Sequence, residues 1–222
     1  MNHLSVNGKG LTVFDISRKK ANCQNSCKIK SVCYINNNIQ DKLNKAYKNK
    51  MARNWKLINS KKFVKVMAKE IKSNNIMRIR FYGNGDLFYG NMDKSIYQLE
   101  NIVNLCKVLK FNRFWLITRN FDTLTYYFEN LKGSKPDNLN IMLSVDFQNL
   151  DFVKPICDKH KIQLAYITDK KIDSNCKSSI NHKSCIENNC DLCFSYSKLP
   201  RIWLIHGKGN KDKFKKLRVL NE

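Results

Sequence analysis

The sequence predicts an α/β fold, a partial parallel (β/α) barrel-like sheet with a Cys-rich C-terminal extension. Three observations predict it. Short β-rich apolar runs alternate with longer stretches of helical periodicity. The runs are continuous rather than strictly alternating, as in strands covered on both faces. Their starts recur at intervals that leave room for a crossover helix, so a βα unit repeats five or six times. That is too few for a closed eight-stranded barrel.

The first expected strand is Leu11–Ile16, and the cysteine-bearing segment follows it directly. A helical pattern covers Asn38–Asn59, and a second covers Lys61–Lys72 with Phe63, Val64, Met67 and Ile71 at helical spacing. Ile76–Tyr82 is the next strand and ends in the turn Gly83-Asn84-Gly85-Asp86. Ser95–Leu109 places Ile96, Leu99, Ile102, Val103 and Cys106 on one stripe. Arg113–Thr118 is a strand running into Arg119-Asn120, and Asp122–Leu131 is a helix with Asp122 as its expected N-cap. Asn140–Val145 leads to Asp146, Phe152–His160 is a short helix, and Ile162–Thr168 and Arg201–His206 complete the strands. Two regions follow: a βα core over 1–170 with an N-terminal Cys loop, and a Cys-rich metal-binding extension with a basic tail over 171–222.

Composition narrows the partners. Lys+Arg number 41 against 18 Asp+Glu, a formal net charge of +23. Such a field favours polyanions, and nucleic acid is the expected partner, with Lys208 through Arg218 as the best local candidate for backbone contact. An AT-rich codon bias accounts for abundant Lys and Asn but not for the shortage of acids. Nothing in the sequence identifies a protein partner. No apolar run reaches the roughly 18 residues of a membrane span, and the N-terminus has no apolar h-region. The expectation is therefore a cytoplasmic, reducing location.

Seven of nine cysteines fall in two clusters: Cys23, Cys27 and Cys33 as C-x3-C-x5-C, and Cys176, Cys185, Cys190 and Cys193 as C-x8-C-x4-C-x2-C. An odd total in a reducing compartment favours metal over disulfides. Three thiolates leave a coordination position open, whereas four close a tetrahedral site. The triplet suits a [4Fe–4S] cluster with one iron lacking a protein ligand. The quartet suits either structural zinc, with His182 as a possible substitute ligand, or a second [4Fe–4S] cluster. Cys106 and Cys157 lie in helical patterns and read as structural thiols. His206, before Gly207-Lys208-Gly209, reads as a ligand, a phosphate contact or a polar strand end. Parallel α/β sheets gather their chemistry at the C-terminal strand ends, and here those ends carry Gly83–Asp86, Arg119, Ser144 and Asp146.

A cysteine triplet after the first strand, a Gly-rich acidic turn after the second and repeated βα units resemble the radical S-adenosylmethionine superfamily. The resemblance implies that the open iron binds S-adenosylmethionine and that the glycine turn contacts its methionine amino group. Cofactor contacts are expected from Tyr34, Gly83, Asn84, Gly85, Asp86 and Ser144, and catalytic groups from Asp86, Arg119 and Asp146, the last two reading from their strand ends either as substrate-binding groups or as a pair across the rim. The second cysteine gap is five residues where the superfamily usually has two, and Gly-Asn-Gly-Asp replaces its Gly-Gly-Glu. The chain also resembles a small phage-encoded family named for gene product 88. The shared features are Cys23, Cys27 and Cys33-Tyr34, an Arg-containing strand from Arg78 to Asp86, Thr118-Arg119, and Cys190, Cys193 and Phe194 late in the chain. This implies a phage or mobile-element origin. The expected function is an iron–sulfur protein acting on or with nucleic acid. The alternative is a non-catalytic zinc or iron–sulfur nucleic-acid-binding protein with a regulatory or virion role.

Overall fold

The computed structural model describes residues 2–7, 10–16, 45–83, 85–145, 150–168, 175, 188 and 190–204. They form one open, mixed seven-stranded sheet with helices. The strands are β1 (Ser5–Val6), β2 (Thr12–Phe14), β3 (Arg78–Phe81), β4 (Arg113–Thr118), β5 (Leu139–Ser144), β6 (Gln163–Thr168) and β7 (Arg201–Leu204). The helices are α1 (Lys45–Ile58), α2 (Phe63–Ser73), α3 (Met92–Val108), α4 (Phe121–Thr125, continuing as a π-helical turn over Tyr126–Asn130) and α5 (Leu150–Lys159). All six expected strands are present, and β7 joins residues of the C-terminal region to the same sheet. The sequence did not predict β1, a two-residue antiparallel edge strand pairing Ser5 with Val13.

Strand order in space is the order in the chain, and β2 through β7 are parallel. Crossovers between parallel neighbours share one hand, so a sequential order puts every helix on the same face. The core obeys this. Phe14, Ile79, Phe81, Phe114, Leu116, Ile141 and Leu143 point to one face, where they meet Ile58, Met67, Ile71, Leu99, Ile102, Val103, Cys106, Val153 and Cys157 from the helices. The alternate positions Val13, Trp115, Met142 and Ala165 form a second, smaller cluster with Leu11 and Phe194 and no helical residue. The expected stripe of α3 is buried as predicted, and Cys106 and Cys157 are 0% and 1% exposed.

Two local expectations change. The N-cap of α4 is Asn120, whose Oδ1 accepts from the Thr123 N–H at 3.1 Å, not Asp122. Helix α3 starts at Met92, three residues before the expected Ser95, because the Asn91 side chain caps it by accepting from the Lys94 N–H at 2.8 Å.

The opposite face of the sheet, helix-free in that no described helix packs on it, is covered near its N-terminal edge by residues 190–199. Asn140 Nδ2 lies 3.0 Å from the Cys193 carbonyl and 3.2 Å from that of Ser195, and Gln163 Nε2 donates to the Leu199 carbonyl at 2.9 Å. Arg201 donates to the Leu192 carbonyl at 3.2 Å, and Phe194 meets Trp115 edge-on with centroids 6.1 Å apart. Among the described residues no helix is long and apolar enough to cross a membrane.

Candidate functional site at the C-terminal rim of the sheet

The C-terminal ends of β2, β3, β4 and β5 lie side by side, so their last residues form one rim. The pairing of β2 with β3 runs on past both strands, as the Tyr82 N–H donates to the Phe14 carbonyl at 3.0 Å. The chain then turns sharply. Tyr82 takes φ +61° and Gly85 φ +90°. A buried tyrosine in the left-handed region carries roughly 1–3 kcal/mol of strain, which the surrounding packing must hold in place. The phenol of Tyr82 is buried with no hydrogen-bond partner among the described residues, and burial followed by the Asp86 charge pushes its pKa well up.

The two glycines of this turn, Gly83 and Gly85, are required by the end of β2. A Cβ on Gly83 would stand 2.9 Å from Asp15 Oδ1, and one on Gly85 would stand 2.5 Å from Ile16 Cγ1 and 2.9 Å from the Ile16 carbonyl. The turn is thus pressed against Asp15 and Ile16, the residues that lead into the cysteine-bearing segment. Asp15 is buried, receives the Tyr47 hydroxyl hydrogen bond, and has its carbonyl bonded by Asn54 Nδ2 at 2.9 Å.

Asp86 is the centre of the rim. Its Oδ1 accepts from the Leu87 N–H at 2.7 Å and from the Thr118 hydroxyl, and its Oδ2 accepts from the Arg119 N–H at 2.9 Å. The carboxylate therefore ties the β3 turn to the end of β4. Burial raises its pKa to about 6, against the opposing pull of the Thr118, Arg119 and Leu87 hydrogen bonds and the Arg119 charge. A carboxylate offers about four acceptor directions, and three are used, so Oδ2 retains capacity for one more donor.

Behind Asp86 lies a buried polar relay. Thr118 Oγ1 accepts from the Asn120 N–H at 3.0 Å, and Asn120 Nδ2 donates to Ser95 Oγ at 3.2 Å and to the Phe88 carbonyl at 3.1 Å. Ser95 and Thr123 share a hydrogen bond of 2.6 Å. In front, Arg119 Nη1 approaches Ser144 Oγ at 3.5 Å, joining the ends of β4 and β5. The rim therefore presents a carboxyl group that titrates near neutrality, a permanent guanidinium cation and a hydroxyl. That donor set fits the amino and carboxylate groups of an amino-acid-like ligand.

Of the predicted site residues, Gly83, Gly85, Asp86, Arg119 and Ser144 converge here. Cys23, Cys27, Cys33, Tyr34, Asn84, Asp146, Cys176 and Cys185 lie outside the described residues, as do His182, His206 and the basic tail. Cys190 and Cys193 are half-buried at the opposite edge, where Asp191 pairs with Arg78 and Arg113, the first residues of β3 and β4, at 2.6 and 3.4 Å. The described residues contain no group of three or more His, Cys, Asp or Glu able to hold a metal. Cys157 is pushed up to about 12 by burial and then by Asp158, and burial likewise raises Cys106 well up, consistent with inert core thiols. Sequence reasoning missed Asp15, Tyr82, Asn120 and Ser95. A signal existed only for Asn120, whose residue type and place before an apolar run suit a cap.

A family model described as gene product 88 matches residues 5–212 of the chain. No curated protein and no solved structure matches it.

Proposed function

The chain belongs to the gene product 88 family, and from that membership and the rim geometry we propose that it is an iron–sulfur protein of phage or mobile-element origin. In this reading its sheet curves as a partial barrel, and it works at the C-terminal rim on or with nucleic acid. One observation carries the reading: Asp15 and Ile16, which lead into the segment bearing Cys23, Cys27 and Cys33, pack directly on Gly83 and Gly85 of the turn. Cys23 follows Ile16 by seven residues, a reach of at most about 25 Å, so the chain length would allow it to stand near the rim. The three thiolates would hold a [4Fe–4S] cluster. When bound and reduced, it would supply the electron that cleaves S-adenosylmethionine at its open iron.

The chain's own residues would bind and orient. Arg119, held at the end of β4 beside Ser144, would take a ligand carboxylate. Asp86 would accept an ammonium proton through Oδ2 while its remaining bonds keep the turn in shape. The quartet of Cys176, Cys185, Cys190 and Cys193 would hold zinc or a second cluster at the far edge, as a clamp on the segment beneath the sheet.

Anaerobic reconstitution with iron and sulfide, followed by S-adenosylmethionine and dithionite, tests this. Release of 5′-deoxyadenosine is expected. Cys23→Ala abolishes it while metal persists at the quartet. Tight zinc without iron at the triplet sinks the enzyme reading and leaves a non-catalytic metal-bearing nucleic-acid-binding protein.

A further inference from the structure

Arg80 stands in the middle of β3 with Ile79 and Phe81, its neighbours, buried in the helix-side core. Alternation along the strand sends Arg80 to the helix-free face, in register with Val13 of β2 and Trp115 of β4. Its register partners Val13 and Trp115 are both apolar and belong to the buried cluster of that face. Its guanidinium carbon lies 4.4 Å from the centroid of Trp115, within cation–π range. It makes no hydrogen bond or ion pair among the described residues, and its Nε is buried without an acceptor. The contrast with neighbouring arginines is direct. Arg78, one pleat earlier, pairs with Asp191, and Arg201 donates to the Leu192 carbonyl.

A half-buried cation in an apolar setting is costly unless an anion compensates it. A cation–π contact with an indole uses none of the guanidinium's N–H groups. The guanidinium has parallel donors that suit two oxygens of one oxyanion, and they bond to no acceptor among the described residues. We propose that Arg80, laid on Trp115, is an anion-binding residue of the helix-free face, taking a phosphate or carboxylate group of a small ligand. The assignment rests on the two-faced sheet and needs neither metal cluster.

The test uses the purified full chain without reconstitution, with inorganic phosphate, thymidine 5′-monophosphate and glutarate as probes in thermal-shift and calorimetric titrations. Oxyanion salts stabilise most proteins by exclusion, so the readout is the difference between wild type and variant at equal probe concentration. At least one probe is expected to bind saturably and raise Tm. Arg80→Met should lose that shift while its own Tm is unchanged or higher, and Arg80→Lys, which keeps charge and stem, should bind at least tenfold more weakly. Binding of both phosphates without glutarate assigns a phosphate ligand, and the reverse assigns a carboxylate. Absence of saturable binding to wild type overturns the proposal. So does an undiminished shift in Arg80→Met or, should that variant fail to fold, undiminished binding in Arg80→Lys. Either result would make Arg80 a packing cation only.

Discussion

Asp86 meets two opposed demands at once. Burial disfavours its charge, while three donors and the nearby Arg119 favour it, and burial wins. A carboxyl whose folded pKa of about 6 exceeds its ordinary value of 3.8 binds its proton more tightly in the folded state. Its favourable contribution is complete below the unfolded pKa and is lost as pH rises through 6. The loss is about 2 kcal/mol between pH 4 and pH 7, since each tenfold gain in proton affinity is worth roughly 1.4 kcal/mol. Asp86→Asn should remove that dependence, and denaturant melts of both proteins across this range would show it. Parallel pH profiles would mean that Asp86 does not titrate there. The Gly-Asn-Gly-Asp run was visible in the sequence, but its meaning was not. The glycines accommodate Asp15 and Ile16, whose approach arises from pairing between strands more than 60 residues apart.

Among the elements, β5 shows how one strand serves two layers. Leu139, Ile141 and Leu143 face the helices, while Asn140 and Met142 face the covering segment. Asn140 Nδ2 has two hydrogens and three acceptors within 3.2 Å, namely Gln163 Oε1 and the Cys193 and Ser195 carbonyls, so these bonds are shared. Replacing it with an isosteric hydrophobe leaves those carbonyls without their donor. Asn140→Leu is expected to cost about 2 kcal/mol and to speed hydrogen exchange and proteolysis across 190–199, with the helix-side core unaffected. Uniform loss of protection would instead make this segment part of the global folding unit. The π-helical turn after α4 is a second feature of this kind. Its Glu129 is bonded by Lys159 and His160 from the end of α5, which together hold its carboxyl at about 2. Neither the turn nor this clasp left a periodic signal, because both depend on the approach of two helices.

Across the whole molecule, the charge of +23 is the property most exposed to solution conditions. If it serves nucleic acid, binding of single-stranded DNA or RNA should weaken linearly in log–log salt titrations. Four phosphate contacts would give roughly a fiftyfold loss between 50 and 200 mM salt. Binding that ignores salt, or none at all, removes the charge argument while leaving the rim reading intact. The sheet divides the molecule into two chemically different edges. Asp86, Arg119 and Ser144 lie at one, and Cys190, Cys193 and the Asp191 ion pairs lie at the other.

The six principal strands, the buried stripe of α3 and the gathering of polar residues at the strand ends were all legible in the chain's linear order. Each is a local pattern of burial repeated over adjacent residues, and hydrophobic periodicity records it directly. Three-dimensional packing alone shows that β1 adds an antiparallel edge, that the described helices share one face, that the glycines answer to β2, and that Arg80 lies on Trp115 without an acid among the described residues. These depend on contacts between residues far apart in the chain, where the geometry of sheet pairing chooses neighbours that no local spacing encodes.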